Sequence, residues 1–427
     1  MSADTGANAG AGGRDALAVD TDVCVVGAGP AGLVLALLLL KSGVRVAVVE
    51  RARAHQREFR GEIVQPGAMA LLDRLGVLAG ARARGCHRHS RFRLVERDRV
   101  LLDIDYGALP APYDHLLSIP QAHLLDELLL HCEKFEGFRY LDGRRVGALL
   151  RDGERISGVT ADGPGGPVSV RARCVVGADG RFSKVRRLAG IGAGREESFD
   201  LDVLWFKLDA APRPAGAGEP ERDVRVFRSG GSPVLVYDSW PDRIQVGWTL
   251  PHKGYQEVVA QGLDHVKREL AAAAPPYARL IEEQIRSPRD LTLLDVFSGR
   301  AERWAADGLV LIGDAAHTHS PIGAQGINLA IQDAVVLHPV LVDAVRSGDT
   351  GAAALGEFEQ RRAPDIAAMM RIQRVQSKAM LSIGAFATKV RPRLARVFRH
   401  TPVYRKVLRA IAYGNPAVRI AEDRFTS

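Results

Sequence analysis

Cysteine is scarce in this chain. Its 427 residues include four, Cys24, Cys86, Cys132 and Cys174, and none stands at a spacing used by metal or redox sites. That excludes zinc ribbons, disulfide scaffolds and CxxC oxidoreductases, and predicts buried thiols in a reducing, cytoplasmic setting. Long apolar runs are absent as well: no stretch of about 18 uninterrupted apolar residues occurs, so no spanning helix is predicted. Residues 1–18 are Gly/Ala-rich, carry Asp4 and Asp15, and hold no apolar core of the signal-peptide kind; they read as a flexible leader. Basic residues are not interleaved with aromatics, which excludes a nucleic-acid reader.

What is present is ordinary globular material, 46% hydrophobic and 25% charged. The length suggests two or three domains. The net charge of +8 is unevenly spread: between Arg371 and Ile411 stand 11 Lys/Arg and no Asp/Glu, which leaves the rest of the chain at −3. The basic character belongs to the C-terminal region alone.

Along the chain, residues 22–26 (DVCVV) predict a buried parallel strand, 30–41 an all-apolar helix, and 44–50 (VRVAVVE) a second strand. A short helix is expected around Met69–Leu75, a hairpin over 91–105, a helix over 121–135 and strands over 155–176. From Phe199 to Leu250 four alternating segments (LDVLWFKLD, DVRVFR, VLVYD, RIQVGWTL) predict an antiparallel sheet inserted into an α/β domain. Helices follow near 255–286, then a strand at 308–312 and a long helix from about Ile327 to Val345.

The turn Gly27-Ala28-Gly29-Pro30-Ala31-Gly32 joins the first strand to the first helix. Gly27 allows the tight turn, Gly29 lets backbone approach a pyrophosphate, and Gly32 lets helix pack on strand. The diphosphate then meets the helix N-terminus, where free N–H groups and the dipole favour negative charge. Glu50, at the end of the second strand, is placed to accept both ribose hydroxyl protons, with Arg51 beside it. This unit fits any dinucleotide.

Two later motifs narrow it. Val175-Val176-Gly177-Ala178-Asp179-Gly180-Arg181 runs on to Ser183 and Arg186. The Asp179 carboxylate can serve a ribose or the turn's own backbone N–H groups. Leu311-Ile312-Gly313-Asp314-Ala315-Ala316-His317 continues through Pro321, Gly323, Gln325-Gly326, Ile327 and Asn328 to Asp333-Ala334. Asp314 can hold a ribityl or ribose hydroxyl, and the helix opening at Gly326 can face the N1–C2=O edge of a reduced flavin.

Together these residues resemble the class A flavoprotein monooxygenases, the family of para-hydroxybenzoate hydroxylase, over about residues 20–365. The resemblance implies an α/β fold: a glutathione-reductase-type FAD-binding Rossmann domain, an antiparallel substrate sheet and C-terminal helices. It implies bound, non-covalent FAD, reduced by NADH or NADPH, whose C4a-hydroperoxide passes one oxygen of O2 to a small aromatic substrate. By the same resemblance Gly27, Gly29, Pro30, Ala31 and Gly32 hold the pyrophosphate, and Glu50 the adenosine ribose. Asp179 and Gly180 serve FAD and the nicotinamide nucleotide. Gly313 and Asp314 take the ribityl–pyrophosphate side, while Pro321, Gly323, Gln325, Gly326, Ile327 and Asn328 line the ring. Arg60 falls where the family has an arginine near the flavin. Gln121 stands where an arginine often meets the phosphates; its amide donates a hydrogen bond but adds no charge. No Trp-x-Trp-x-Ile-Pro string is present, which argues against the related tryptophan halogenases.

In this chemistry the flavin does the hard step and no side-chain acid or base is compulsory. Candidates near the reaction are Arg60, Pro321, Tyr237 and His252, with Trp205, Phe206, Phe227, Tyr237 and Trp248 as possible pocket walls. His317 and His319 flank the third motif, His317 reading as a structural residue. The expected division is 19–90, 119–198 and 291–365 for the FAD domain, 91–118 and 199–290 for the substrate domain, and 366–427 for a basic helical region. In the last, residues 390–411 are amphipathic: a helix packed on the body, a membrane-surface contact or a carrier-protein contact all fit. The leading expectation is hydroxylation or epoxidation of an aromatic or polycyclic secondary metabolite. A reductase or dehydrogenase on the same fold, or a non-redox cyclase or binding protein, stands against it.

Overall fold

Short β-branched runs at the N-terminus build the first sheet. In a computed structural model, which describes residues 17–53, 61–96, 99–196, 201–210, 222–228, 232–251, 254–294, 296–381 and 401–426, Leu17–Val26 pairs in parallel with Val46–Val49 on one side and Val168–Gly177 on the other. Phe138–Leu141 and Leu309–Leu311 extend the parallel sheet at either end. Parallel strands are covered on both faces, and Val23, Cys24, Val25, Val46, Ala47 and Val48 are accordingly fully buried. The helix Pro30–Lys41 connects the first two strands with Ala31 to Leu40 all buried, as its unbroken apolar sequence requires. The first strand takes in Leu17 and Ala18, the last two residues of the expected leader.

A second, seven-stranded sheet runs in the order Thr292–Leu294, Leu201–Asp209, Arg243–Pro251, Val234–Ser239, Asp223–Phe227, Arg91–Glu96, Arg99–Asp105. The four segments between Leu201 and Pro251 pair antiparallel, as expected, but the whole sheet is mixed, because Asp223–Phe227 pairs in parallel with Arg91–Glu96. The 91–105 hairpin reaches the sheet from a distant part of the chain, so no tight turn dictates an antiparallel join there. Alternation gives the sheet two apolar faces. Leu204, Phe206, Leu208, Val246 and Trp248 pack beneath Val266, Leu270 and Ile281 of the helices Leu263–Ala273 and Ala278–Gln284. Val203, Trp205, Val224 and Tyr237 face the other way, toward Ile63, Tyr106, Leu116 and Leu408.

Ile63 and Leu116 belong to a three-stranded sheet, Ile63–Val64, Leu116–Ser118, His87–His89, wedged between the two larger ones. The helix Gly326–Ser347 is long and apolar enough to cross a membrane, yet 78% of its apolar window is buried inside the protein, so it is a core helix. The final helix, Pro402–Tyr413, lies against Pro66–Arg74 at backbone distance: a Cβ on Gly67 would stand 2.8 Å from the Tyr413 Cα. Of the cysteines, Cys24, Cys132 and Cys174 are buried and Cys86 is half-buried; all four are free thiols. Burial pushes the Cys24 thiol up to about 12.

Candidate active site

The glycine turn is dictated by packing before any ligand is considered. Gly27 has φ +110°, and a Cβ there would sit 2.5 Å from the Ala178 carbonyl oxygen; one on Gly32 would meet the Gly27 carbonyl at 2.0 Å. Gly29 is the N-cap and Pro30 the first residue of the Pro30–Lys41 helix, and no side chain caps it. Its first N–H groups are thus open to an acceptor. The buried Glu50 ties the turn to the second strand, its Oε2 accepting from the Ala28 N–H at 2.8 Å and its Oε1 from Ala52 at 3.0 Å. A carboxylate at the end of the second strand is the group that meets an adenosine ribose in dinucleotide-binding folds. Arg51, next to it, is exposed.

Asp179 turns its carboxylate inward. Oδ2 accepts from the N–H groups of Lys184 at 2.7 Å and Val185 at 3.1 Å, and Oδ1 from the Ser183 hydroxyl. It therefore caps the helix Lys184–Leu188, as a carboxylate at a helix N-terminus does. Gly180, half-buried at φ +84°, has open space where a Cβ would be. Arg186 donates from Nη1 to the Ala315 carbonyl at 2.7 Å, and Arg181 Nε lies 3.7 Å from the half-buried Asp314 carboxylate, so the second and third motifs meet.

The third motif rests on a buried charge network that the sequence reading did not anticipate. Asp333 Oδ2 accepts from the Gly313 N–H at 2.9 Å and pairs with His317 Nε2 at 2.6 Å. Its Oδ1 accepts from Arg362 Nε at 2.7 Å. Burial pushes the Asp333 carboxyl up, but His317 and Arg362 outweigh it and hold it down to about 2. His317 Nδ1 lies 2.7 Å from His319 Nε2, and Trp304 packs on the His317 ring. His317 is thus a hydrogen-bonded structural residue. Gly313 itself, at φ +59°, brings its backbone beside Ala31 of the nucleotide helix, where an added Cβ would be 3.4 Å from the Ala31 Cβ.

Beyond it, the turn from Pro321 to Asn328 is clamped by amides. Gln373 donates to the carbonyls of Ser320 and Ile322 at 3.0 and 2.9 Å, and Gln65 to that of Gly323 at 3.0 Å. Asn328 accepts from the Gln65 N–H at 2.8 Å and donates to the Ala324 carbonyl at 2.7 Å. This clamp holds Ala324 at φ +51°, the one non-glycine residue with positive φ among those described. The side chain of Gln325 is turned from any ring, donating to the carbonyls of Gly323 at 3.1 Å and Ile411 at 3.0 Å. The expected cofactor contacts of Gln325 and Asn328 are therefore left to their backbones. No side chain caps the Gly326–Ser347 helix that follows, so its first N–H groups, beginning at Gly326 and Ile327, are open as well. Gln373 and Arg362 lay beyond every motif; Gln65, an amide directly before a helix-opening proline, was the readable signal.

Two uncapped helix N-termini, a glycine turn, and Glu50 and Asp314 at strand ends form a surface that fits FAD. Gln121 begins the helix Gln121–Cys132 with its Oε1 buried and unpartnered among the described residues, so it remains able to accept from a cofactor. The five aromatics expected as pocket walls divide between the two faces of the sheet. Trp205 and Tyr237 face the Ile322–Ala324 turn, while Phe206, Phe227 and Trp248 are core residues on the opposite face of the sheet. Burial first, and the Glu62 carboxylate second, hold the Tyr237 phenol well above its usual value. That phenol is a poor base. Arg60 and His252 lie outside the described residues, as do residues 390–400 of the basic stretch.

A family model described as FAD binding domain matches residues 20–373. The 6-methylpretetramide 4-monooxygenase of Streptomyces rimosus is 55% identical over 405 residues, covering 95% of each chain. The 12-dehydrotetracycline 5-monooxygenase/anhydrotetracycline 6-monooxygenase of Streptomyces rimosus subsp. rimosus is 30% identical over 83% of this chain and 69% of its own. Among solved structures, the OxyS anhydrotetracycline hydroxylase from Streptomyces rimosus matches with a TM-score of 0.72 at 25% identity, covering 94% of this chain and 77% of that one. PqsL of P. aeruginosa in complex with 2-aminobenzoylacetate matches with a TM-score of 0.72 at 26% identity, covering 89% and 99%.

Proposed function

Because this chain belongs to the FAD-binding-domain family of flavoprotein monooxygenases, we propose that it hydroxylates an aromatic polycyclic secondary metabolite, 6-methylpretetramide or a close analogue. The observation that carries the substrate is the 55% identity, over 95% of the chain, with a 6-methylpretetramide 4-monooxygenase. When bound, FAD reduced by NAD(P)H activates O2 and supplies the oxygen atom.

The chain's own residues bind, orient and shield. Glu50 and the Gly27–Gly32 turn hold the adenosine end, with Gln121 and Asp179–Gly180 alongside. Gly313 and Asp314 take the ribityl side. The Pro321–Asn328 backbone and the open Gly326 helix terminus accept the ring, where their dipoles favour negative charge. Ile63, Leu116, Val203, Trp205 and Leu408 form an apolar enclosure on the substrate side that keeps water from the reacting atoms. The C-terminal helix contributes to that enclosure through Leu408 and Ala412, while Arg405, Lys406 and Arg409 remain exposed. This supports reading it as a helix packed on the enzyme body, with its basic side solvated. Four free cysteines fit a cytoplasmic setting.

The test is NAD(P)H and O2 consumption by the yellow holoenzyme, triggered by 6-methylpretetramide, with a product one oxygen atom heavier. Turnover that proceeds equally well without O2 replaces this reading with a reductase.

A further inference from the structure

The short strand Ile63–Val64 is stitched to the second sheet at both ends. Before it stands Glu62, buried, its backbone carbonyl accepting from the Ile119 N–H at 3.0 Å. Its Oε1 accepts from Lys207 Nζ at 2.6 Å and its Oε2 from the Ser239 hydroxyl at 2.7 Å. Lys207 Nζ also donates to Ser239 Oγ at 2.9 Å. Lys207 and Ser239 lie on the two strands that flank Arg243–Pro251, so one carboxylate reaches across three strands of the sheet. After the short strand stands Gln65, whose Oε1 accepts from the hydroxyl of Tyr106, the residue that follows the strand Arg99–Asp105 of the same sheet. Gln65 in turn donates to the Gly323 carbonyl and to Asn328 Oδ1, clamping the Pro321–Asn328 turn. From Glu62 to Gln65 is about 10 Å of extended chain.

Stability does not account for the charged end. Replacing a buried ion pair by apolar side chains of similar volume is commonly neutral or stabilising. Apolar contact is already present there, with Val203, Trp205 and Tyr237 packed against Ile63 and Leu116. Such contact is non-directional; it resists separation of the two layers more than it resists their sliding. Directed hydrogen bonds onto both oxygens of Glu62 oppose sliding. Arg243 shares this face of the sheet and pairs with Asp209.

We propose that Glu62 is a positioning residue. Through Lys207 and Ser239 it sets the register of the second sheet against the Pro321–Asn328 turn, and so the place at which an aromatic substrate meets the flavin ring. The first part is a property of the substrate-free protein; the second rests on the aromatic-hydroxylation reading. A substrate held out of place escapes oxygenation, since an error of about 1 Å is enough to slow a positioned reaction severely. Each NAD(P)H oxidised then reduces one O2 to H2O2, with uptake of one proton.

The test is Glu62→Met/Lys207→Met, which removes both charges at nearly constant volume, compared with wild type as FAD-replete holoenzymes. The urea midpoint is expected to stay at or above that of wild type. Without substrate, amide hydrogen exchange over residues 320–328 is expected to run roughly tenfold faster, while that over 22–26 is unchanged. With 6-methylpretetramide, product formed per NAD(P)H is expected to fall severalfold, H2O2 making up the difference. Ser239→Ala, which removes a hydroxyl and no charge, should change exchange and yield in the same direction by less. Unchanged exchange over 320–328 in the double variant overturns the inference. A lowered urea midpoint with FAD lost overturns it too, because the pair is then a structural bridge only. Faster exchange with unchanged product per NAD(P)H overturns its second part. A wild type that oxidises no NAD(P)H on addition of 6-methylpretetramide fails the substrate reading alone, and the exchange comparison still decides the first part.

Discussion

Asp333 accepts the backbone N–H of Gly313 at 2.9 Å across twenty residues of sequence, and both its oxygens are committed to other donors inside a fully buried site. One carboxylate thus fixes the start of the third motif against the helix that lies behind it. Replacing Asp333 by Ala leaves Arg362 buried, with only the half-buried Asp365 as counter-ion. Breaking such a pair costs about 3–5 kcal/mol. Urea unfolding is expected to show that loss, and the purified variant is expected to carry less FAD. Arg362→Leu should cost a similar amount, and the double variant less than the two together, because both remove one interaction.

The acid limb of stability has two separate causes. Burial holds the His89 imidazole down to about 3 and that of His338 down to about 4, against an ordinary value of 6.5. Between those limits the unfolded chain binds more protons than the fold, so stability falls as pH drops below about 6.5. Asp333 has the opposite kind of shift. Its contribution is complete above the ordinary value of 3.8 and is lost as pH falls toward 2. Urea midpoints should therefore decline steadily from pH 6.5 to pH 4, with the carboxylates adding to the fall only toward the lower end of that range. His338→Gln should flatten that slope; a midpoint independent of pH over this range contradicts the assignment.

Glu50 and Gly27 should fail differently from Gly180. Glu50→Ala strips the acceptor from Ala28 and Ala52. A charged hydrogen bond is worth about 1.5–3 kcal/mol, so FAD affinity is expected to fall roughly 10- to 150-fold in fluorescence titrations of the apoprotein. Gly27→Ala puts a methyl group 2.5 Å from a backbone carbonyl and should yield protein without FAD. Gly180→Ala meets open space and carries only the left-handed backbone cost, about 1–2 kcal/mol, with FAD retained.

Two tryptophans on opposite faces of one sheet offer a cleaner contrast. Trp248→Phe loosens the packing under the Leu263–Ala273 helix and should cost about 1–3 kcal/mol, leaving KM unaltered. Trp205, whose ring covers Gly247 on the flavin-facing side, should shift KM or the position of hydroxylation when changed to Phe. Steady-state kinetics beside urea unfolding separates the two effects.

The nucleotide unit was readable because each step is local: β-branched strand, glycine turn, apolar helix, strand, acid. The third motif was readable for the same reason, and the alternation of residues 201–250 marked the second sheet. What escaped was everything that depends on distant segments meeting. Arg362 sits on a helix with no motif, and its burial against Asp333 exists only because two helices cross. Phe206 and Trp205 are neighbours in sequence with the same chemical character, and only the placement of the covering helices decides which one faces the flavin side. The parallel pairing of residues 223–227 with 91–96 likewise joins segments more than a hundred residues apart.

The most direct test of the account is a single reaction: holoenzyme, NAD(P)H and 6-methylpretetramide under isotopically heavy O2, followed by mass spectrometry. The account predicts substrate-triggered oxidation of NAD(P)H and a product bearing one heavy oxygen atom. Oxidation of NAD(P)H with no label in the product, or a product whose added oxygen comes from water, would contradict it.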